Sequence, residues 1–280
     1  MKIGVIGNGF VGKSTLLLEN ENVSVLCYDT NPNLCKPIGT SLADLRKCDI
    51  IFISVPTPMN ADGSVCISIV ESVVSQIKNL SYEGFIVVRS TIIPGTSGKL
   101  NVYFMPEFLT EKNFQNDFIN NPLWIFGLLN NEKDELFKNK IQELFDICHK
   151  NKCIKSSAIE WMSNKEAEMV KYFRNTFLSV KVSFCNEIYE YCKLKNIDYE
   201  KVRCVAANDE RIKLSHTQVP GHDGKRGFGG TCFPKDTNAL LADMNINKMN
   251  SYVIKSVIER NELVDRPEKD WALDKGRAVV

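Results

Sequence analysis

Three short stretches carry residue types whose spacing could do chemistry. In KIGVIGNGFVGKSTLLL (2–18), Gly7, Gly9 and Gly12 satisfy G-x-G-x-x-G, while Gly7, Gly12, Lys13 and Ser14 satisfy G-x-x-x-x-G-K-S. The first is a dinucleotide-binding pattern and the second the phosphate loop of nucleoside triphosphatases. Both place a glycine turn between a strand and a helix whose free amides face an anion. A phosphate loop also needs an apolar strand ending in Asp to hold the magnesium shell. The candidate IIFISVP (50–56) runs into Val-Pro-Thr-Pro instead. The strand that does end in an acid is VSVLCYD (23–29), and its Asp29 stands twenty-two positions after Gly7. That is close to the offset of roughly twenty at which a carboxylate accepts hydrogen bonds from the adenosine ribose. Asp29 would repel a 2′-phosphate, so the pattern favours NAD over NADP. Lys13 and Ser14 become ordinary first-turn residues.

The second stretch is RGFGGTCFPKDTNALL (226–241). Pro234 suits the first position of a helix, where its missing N–H costs nothing. Cys232 then lies just ahead of a helix N-terminus, where free amides and the dipole favour a thiolate. Glycines at 227, 229 and 230 let backbone pass close to a ligand. The same residues read equally well as a tight turn with a buried thiol, Asp236 merely complementing the helix dipole. In the third stretch, Glu168, Lys171 and Asn175 follow one another at i+3 and i+4 and share one helix face. A solvated polar stripe has that spacing too.

These residues need elements to hold them. Apolar runs at 2–7, 23–29, 50–56, 85–91, 102–108 and 123–129 read as buried parallel strands. They alternate with helical segments near 11–20, 41–48, 66–79 and 131–150, the rhythm of a doubly wound sheet. Beyond about residue 156 the strand-like runs stop. A helix spans 163–196 and a shorter one 199–207, followed by the glycine-rich loop 219–230. Helices then open at Pro234 and cover about 251–263. The expected architecture is α/β: a doubly wound Rossmann-type domain (1–156), an all-helical domain with a long connecting helix (157–265), and a polar, extended tail (266–280).

Thirty-five basic and thirty-four acidic side chains leave a net charge of +1, which gives no electrostatic reason to expect nucleic acid or a membrane surface as partner. No apolar run has the length of a membrane span. The start has no basic-then-apolar leader, so a cytoplasmic, reducing setting is expected. The ten cysteines are scattered without a C-x-x-C, and no metal site is expected.

GFGGTCFPKDT resembles the catalytic signature of the UDP-glucose/GDP-mannose dehydrogenase family. GNGFVG, SVPTP (54–58), RSTIIPGT (89–96), MPEFLTE (105–111) and EMVKYFRNTF (168–177) are similar to that family's other blocks, in order, over residues 1 to 265. The resemblance implies oxidation of a primary alcohol to a carboxylate in two hydride transfers to NAD, with UDP-glucose the expected substrate and UDP-glucuronate the product. Cys232 would add to the intermediate aldehyde, giving a thiohemiacetal and then a thioester. Lys171 and Asn175 would stabilise the oxyanions. Asp236 would orient Lys171 or a water, Glu107 would be the acid/base, and Thr91 would position the water.

The family's NAD contacts carry over to Gly7, Asn8, Gly9, Phe10, Val11, Gly12, Asp29, Val55, Pro56, Thr57, Pro58, Ser90, Thr91, Glu111 and Lys235. Its sugar contacts carry over to Glu107, Phe108, Leu109, Glu111, Lys171, Asn175, Gly227, Phe228 and Gly229. Arg211 matches an arginine that reaches the neighbouring subunit's substrate, and pairing through the long helices implies a homodimer. A third, nucleotide-enclosing domain that the family carries is expected to be missing beyond Val280. Another nucleotide sugar (GDP-mannose or a UDP-N-acetylhexosamine) and a non-catalytic binding or dimerisation partner stay open as alternatives.

Overall fold

Alternation along the strands decides how the first half of the chain folds. Ile3, Val5, Ile50, Phe52 and Val87 are buried in one apolar cluster, while Ile6, Ile51, Ile53 and Val88 are buried in another. Neighbouring side chains of one strand point to opposite faces, so a strand apolar on both must be covered on both. The computed structural model, which describes residues 1–280, shows this arrangement. Its elements are β1 (Lys2–Ile6), α1 (Phe10–Leu16), β2 (Ser24–Tyr28), β3 (Ile50–Ile53), α2 (Ser68–Asn79), β4 (Phe85–Val88), α3 (Thr96–Lys99), β5 (Tyr103–Phe104), α4 (Phe114–Ile119), β6 (Trp124–Leu128), α5 (Asp134–Lys150) and β7 (Ile159–Ser163). Helices α6 (Asn164–Leu194), α7 (Tyr199–Ala206), α8 (Phe233–Ile246) and α9 (Tyr252–Arg260) follow.

The strands form one sheet in the order β2-β1-β3-β4-β5-β6-β7, parallel except for the β5–β6 pair. The chain lays β2 on one side of β1 and then crosses to lay β3 on the other, which makes the ends of β1 and β3 a topological switch point. The expected doubly wound sheet is present.

Three expectations need correction. β7 pairs along its whole length with β6, so the first unit runs past residue 156. As an edge strand it is only half-buried and lacks the continuous apolar run that marked the others. The strand expected over 102–108 shrinks to Tyr103–Phe104, because Pro106 has no N–H to give a ladder. The 41–48 segment is a 3-10 helix rather than an α-helix.

The chain divides into two compact units, Met1–Thr57 with Ile67–Lys171, and Pro58–Cys66 with Tyr172–Val280. In the second unit the tail 266–280 is not extended. Trp271 and Ala278 are buried, and Met59 exchanges backbone hydrogen bonds with the tail at Ala278 and Val280. Asp270 adds ion pairs to Lys225 at 2.8 Å and to Arg266 at 2.7 Å, so packing and charge together fold the segment back. No helix is long and apolar enough to cross a membrane.

Phe137 of α5 is fully buried in the first unit, stacked on Tyr103 at a centroid distance of 3.6 Å and edge-on to Phe85 at 5.3 Å. Phe137→Ala is expected to cost about 3–5 kcal/mol of unfolding free energy, measured by urea denaturation. A loss well under 1 kcal/mol would mean this aromatic layer does not carry the core.

Candidate functional site

The glycine turn of the first unit is built by close approach. Gly7 has φ of +88°, and a Cβ on it would stand 2.5 Å from the Ser54 carbonyl oxygen at the end of β3. A Cβ on Gly12 would lie 1.8 Å from the Gly7 carbonyl oxygen, so α1 can leave the turn only with glycine there. Gly9 has open space where its side chain would be. Asp29 accepts hydrogen bonds from the amides of Asn8 at 2.7 Å and Asn31 at 2.9 Å, which fixes its carboxylate beside the turn. Asn8 Oδ1 and Ser54 Oγ are buried polar atoms with no partner. Both flank the switch point, where they suit a ligand with polar edges.

The competing phosphate-loop reading is not supported by this geometry. Ser14 is fully buried and its hydroxyl donates to the Val11 carbonyl at 2.7 Å, while Lys13 is exposed. The Ser14 hydroxyl is therefore not available to a triphosphate's metal.

Other residues expected at the coenzyme line the ends of the neighbouring strands. Val55 accepts from the Ser90 hydroxyl at 2.7 Å; Thr57, Ser90 and Thr91 are buried, and Pro56 is exposed. Beyond β5, Glu107 is 6% exposed and Lys171 4%. Lys171 Nζ donates to Glu107 Oε1 at 2.6 Å and to the Glu107 carbonyl at 2.8 Å. The Leu109 amide donates to Glu107 Oε2 at 2.8 Å, and the Phe108 ring lies 5.8 Å from the Lys171 nitrogen. The structure thus brings Glu107, Phe108, Leu109 and Lys171 together, whereas Glu111 is exposed.

Glu168 does not join them. It is fully buried and accepts from the Gly95 and Ser97 amides and the Ser97 hydroxyl, tying down the start of α3. Burial holds its carboxyl above the usual range.

In the second unit, Cys232 is the N-cap of α8, which starts at Phe233, one residue earlier than expected. Cys232 is half-buried, and the Thr231 hydroxyl lies 3.8 Å from its sulfur. Asp236 is completely buried and accepts from Asn175 Nδ2 at 2.6 Å and from Lys235 Nζ at 2.5 Å. Asn175, Lys235 and Asp236 therefore form one buried polar group, and Asp236 orients the Asn175 amide. Pro58 belongs to this unit as well. Arg211 stands apart: its side chain is 88% exposed and bound to Asp209.

The loop at Gly227, Phe228 and Gly229 is held by a residue that spacing alone did not single out. Asn261, 1% exposed, accepts from the Phe228 amide at 2.8 Å and donates to its carbonyl at 2.9 Å. A Cβ on Gly227 would meet Asn261 Oδ1 at 2.3 Å, and one on Gly229 would meet the Arg266 guanidinium at 2.5 Å. Gly227, with φ of +65°, is required by its conformation and neighbours, while a side chain at Gly229 would have to displace the guanidinium. The available clue was a polar residue at the end of an otherwise amphipathic helix.

With this geometry in view, comparison with known proteins is decisive for the family. The model of the UDP-glucose/GDP-mannose dehydrogenase family, NAD binding domain, matches residues 38–148, and that of the family's central domain matches residues 165–263. UDP-glucose 6-dehydrogenase TuaD of Bacillus subtilis (strain 168) is 31% identical, across 99% of this chain and 68% of its own length. UDP-glucose 6-dehydrogenase of Rickettsia bellii (strain RML369-C) is 28% identical, across 80% of this chain and 51% of its own. The structure of a UDP-glucose dehydrogenase from the hyperthermophilic archaeon Pyrobaculum islandicum superimposes with a TM-score of 0.79 at 25% identity, covering 93% of this chain and 68% of that one.

The chain belongs to the UDP-glucose/GDP-mannose dehydrogenase family. Its cofactor is NAD, which the first unit's glycine turn and Asp29 fit. The chain spans between half and about two thirds of the length of these curated relatives.

Gly12→Ala should raise the dissociation constant for NADH at least ~10-fold, a loss of about 1.4 kcal/mol or more, followed by nucleotide fluorescence. Unchanged affinity in a folded variant would show that the coenzyme does not depend on this turn.

Proposed function

We propose that this chain carries the chemistry of a nucleotide-sugar 6-dehydrogenase, oxidising UDP-glucose to UDP-glucuronate through a covalent bond to Cys232. The observation that carries the reading is Cys232 as the N-cap of α8, the helix that also carries Lys235 and Asp236 of the buried Lys235–Asp236–Asn175 group, in a chain of this family. A sulfur at a helix N-terminus meets free amides and the positive end of the dipole, which favour the nucleophilic thiolate.

NAD, held by the glycine turn and Asp29, would supply the acceptor for the two hydrides that C6 gives up, the proton of the alcohol hydroxyl leaving to water. The chain's own residues do the rest. The Cys232 thiolate adds to the aldehyde carbon, forming a C–S bond while the carbonyl oxygen takes the negative charge. Lys171 and Asn175 donate to that oxygen. The thioester is then attacked by water positioned by the Thr91 hydroxyl. Glu107 takes the water's proton, and Cys232 leaves as the thiolate.

The Lys171–Glu107 pair supports this division of roles. The Lys171 ammonium donates to the Glu107 carboxylate at 2.6 Å, a charge-assisted contact that fixes where both groups stand. Asp236 fixes the Asn175 amide so that its NH₂ is presented without rearrangement.

The long helix supports a homodimer. In the second unit, Phe173, Phe177, Phe184 and Tyr191 are each more than half exposed, and the first two rings are parallel with centroids 6.3 Å apart. Their spacing of four and then seven residues puts them on one face, the pattern of a helix that packs along a partner.

With NAD⁺ and a panel of nucleotide sugars, two NADH should form for each UDP-glucose consumed, read by absorbance. Cys232→Ser should lose at least ~10³-fold in the rate of carboxylate formation, about 4 kcal/mol of barrier. One NADH per sugar with free aldehyde would refute the covalent route. Sedimentation should give a dimer that the double change Phe173→Glu, Phe177→Glu converts to monomer; a monomeric starting protein would remove the helix pairing.

A further inference from the structure

The end of α5 brings two of the ten cysteines together. The helix closes at Asn151, and the chain then turns at Lys152, whose φ of +61° is left-handed. The Lys152 amide donates to the His149 carbonyl at 3.0 Å, and the Cys153 amide to the Cys148 carbonyl at 2.9 Å. Such a nested pair of bonds is a Schellman close, and it sets the side chains of its first and last residues against each other. An apolar contact usually fills that place. Here both residues are cysteines.

Disulfide formation needs Cα atoms within about 7 Å and side chains directed at one another. The backbone bond from Cys153 to Cys148 meets the first condition. For the second, Asn20 Nδ2, in the turn between α1 and β2, lies 3.7 Å from each sulfur, and the two thiol side chains hydrogen-bond to each other. The thiols differ in access. Cys148 is fully buried, with its sulfur 3.4 Å from the Leu18 carbonyl to which it donates, while Cys153 is half-buried. Asn20 Nδ2 also donates to the Leu18 carbonyl, at 2.9 Å, so losing the Cys148 proton leaves that carbonyl paired. We propose that Cys148 and Cys153 form a redox modification site, a dithiol that a hydroperoxide closes to a disulfide and a small dithiol reopens.

With hydrogen peroxide the electrons balance over two steps. The accessible Cys153 thiolate attacks the peroxide; an S–O bond forms, the O–O bond breaks, and the departing hydroxide is protonated to water. The Cys148 sulfur then attacks the sulfenic sulfur; the S–S bond forms, the S–O bond breaks, and the departing hydroxide takes the Cys148 proton. The two thiols lose two hydrogens, and one peroxide becomes two waters. Burial, with Cys153 beside it, pushes the Cys148 thiol up to about 12. About one molecule in 10⁵ then carries the thiolate at pH 7, so Cys148 does not react first. Contact offsets that scarcity in the second step, because oriented groups reach effective concentrations of about 10⁵ M and above. Burial therefore sets the order, with Cys153 oxidised first. In a reducing compartment such a bond is transient rather than structural.

The test uses the whole chain, held in dilute hydrogen peroxide, alkylated and digested with trypsin. Cleavage after Lys150 and Lys152 separates the two sulfurs, so peptides 141–150 and 153–155 should appear joined, two hydrogens lighter than their sum. Dithiothreitol should release them, closing to its own disulfide as it returns the two hydrogens. Lys152→Pro, at an exposed position, forbids the left-handed turn and removes its amide. It should slow loss of the two alkylatable thiols at least ~10-fold. In Cys148→Ser, Cys153 should stop at a sulfenic acid that dimedone traps. Both thiols still alkylated after peroxide, Cys153 carried to the sulfonic acid with Cys148 free, or either sulfur joined to another cysteine would overturn the inference. So would an unchanged rate in Lys152→Pro. Should Cys148→Ser fail to fold, the joined peptides of the parent chain and their dependence on Lys152 decide the question.

Discussion

A charge taken out of water must be met by something, and the interior of this chain is organised around how each buried charge is met. Glu107 is met by Lys171, Asp236 by Lys235 and Asn175, and Glu168 by two backbone amides and a hydroxyl. Losing a partner from such a group leaves an uncompensated charge, at a cost of roughly 3–5 kcal/mol. That penalty makes these contacts geometrically demanding, which is what a site needs when atoms must be held to within fractions of an ångström. The contacts that keep these buried groups paired in the fold therefore also fix where the Glu107 carboxylate and the Asn175 amide stand.

The glycine turn obeys a different constraint, steric rather than electrostatic. At Gly12 the carbonyl of Gly7 occupies the place of a side chain, and at Gly7 the end of β3 does. The turn and the two strand ends are thereby locked into one crevice at the switch point of the sheet. Asp29 reaches that crevice because β2 is paired in register with β1, its last residue Tyr28 opposite Ile6. Twenty-two positions of sequence become a few ångströms of space through strand pairing alone.

This explains what could be read in the sequence. Where a residue's place follows from chain-local geometry, the pattern sufficed: Gly7 and Gly12 in the turn, Cys232 just ahead of a helix start, and the apolar runs of the central strands. Where the role depends on a partner far along the chain, it did not. Glu168 and Lys171 share a helix, yet Glu168 serves the start of α3 and Lys171 serves Glu107, and nothing in their three-residue spacing distinguishes them. Asn261 clamps Phe228 across thirty-three positions, and Arg89 meets α1 across seventy-four. β7 was hidden for a related reason. A half-exposed edge strand needs only its neighbour's hydrogen bonds, and those leave no apolar pattern behind.

The ten cysteines show how far physical sorting can go once the surroundings are known. Burial pushes Cys27 and Cys148 up to about 12 and Cys48 up to about 11, which keeps these thiols protonated and unreactive at neutral pH. Burial also raises Cys185, and Cys204, though exposed, is raised by its hydrogen bond to Glu200. A thiol near 12 is ionised about once in 10⁵ molecules at pH 7, so a nucleophile drawn from this group would forfeit about 7 kcal/mol before any bond formed. Cys232 differs in kind rather than degree. It is half-buried and it caps an α-helix of fourteen residues. Burial raises Cys27, Cys48, Cys148 and Cys185 in the core, whereas Cys232 stands at the N-terminus of a helix.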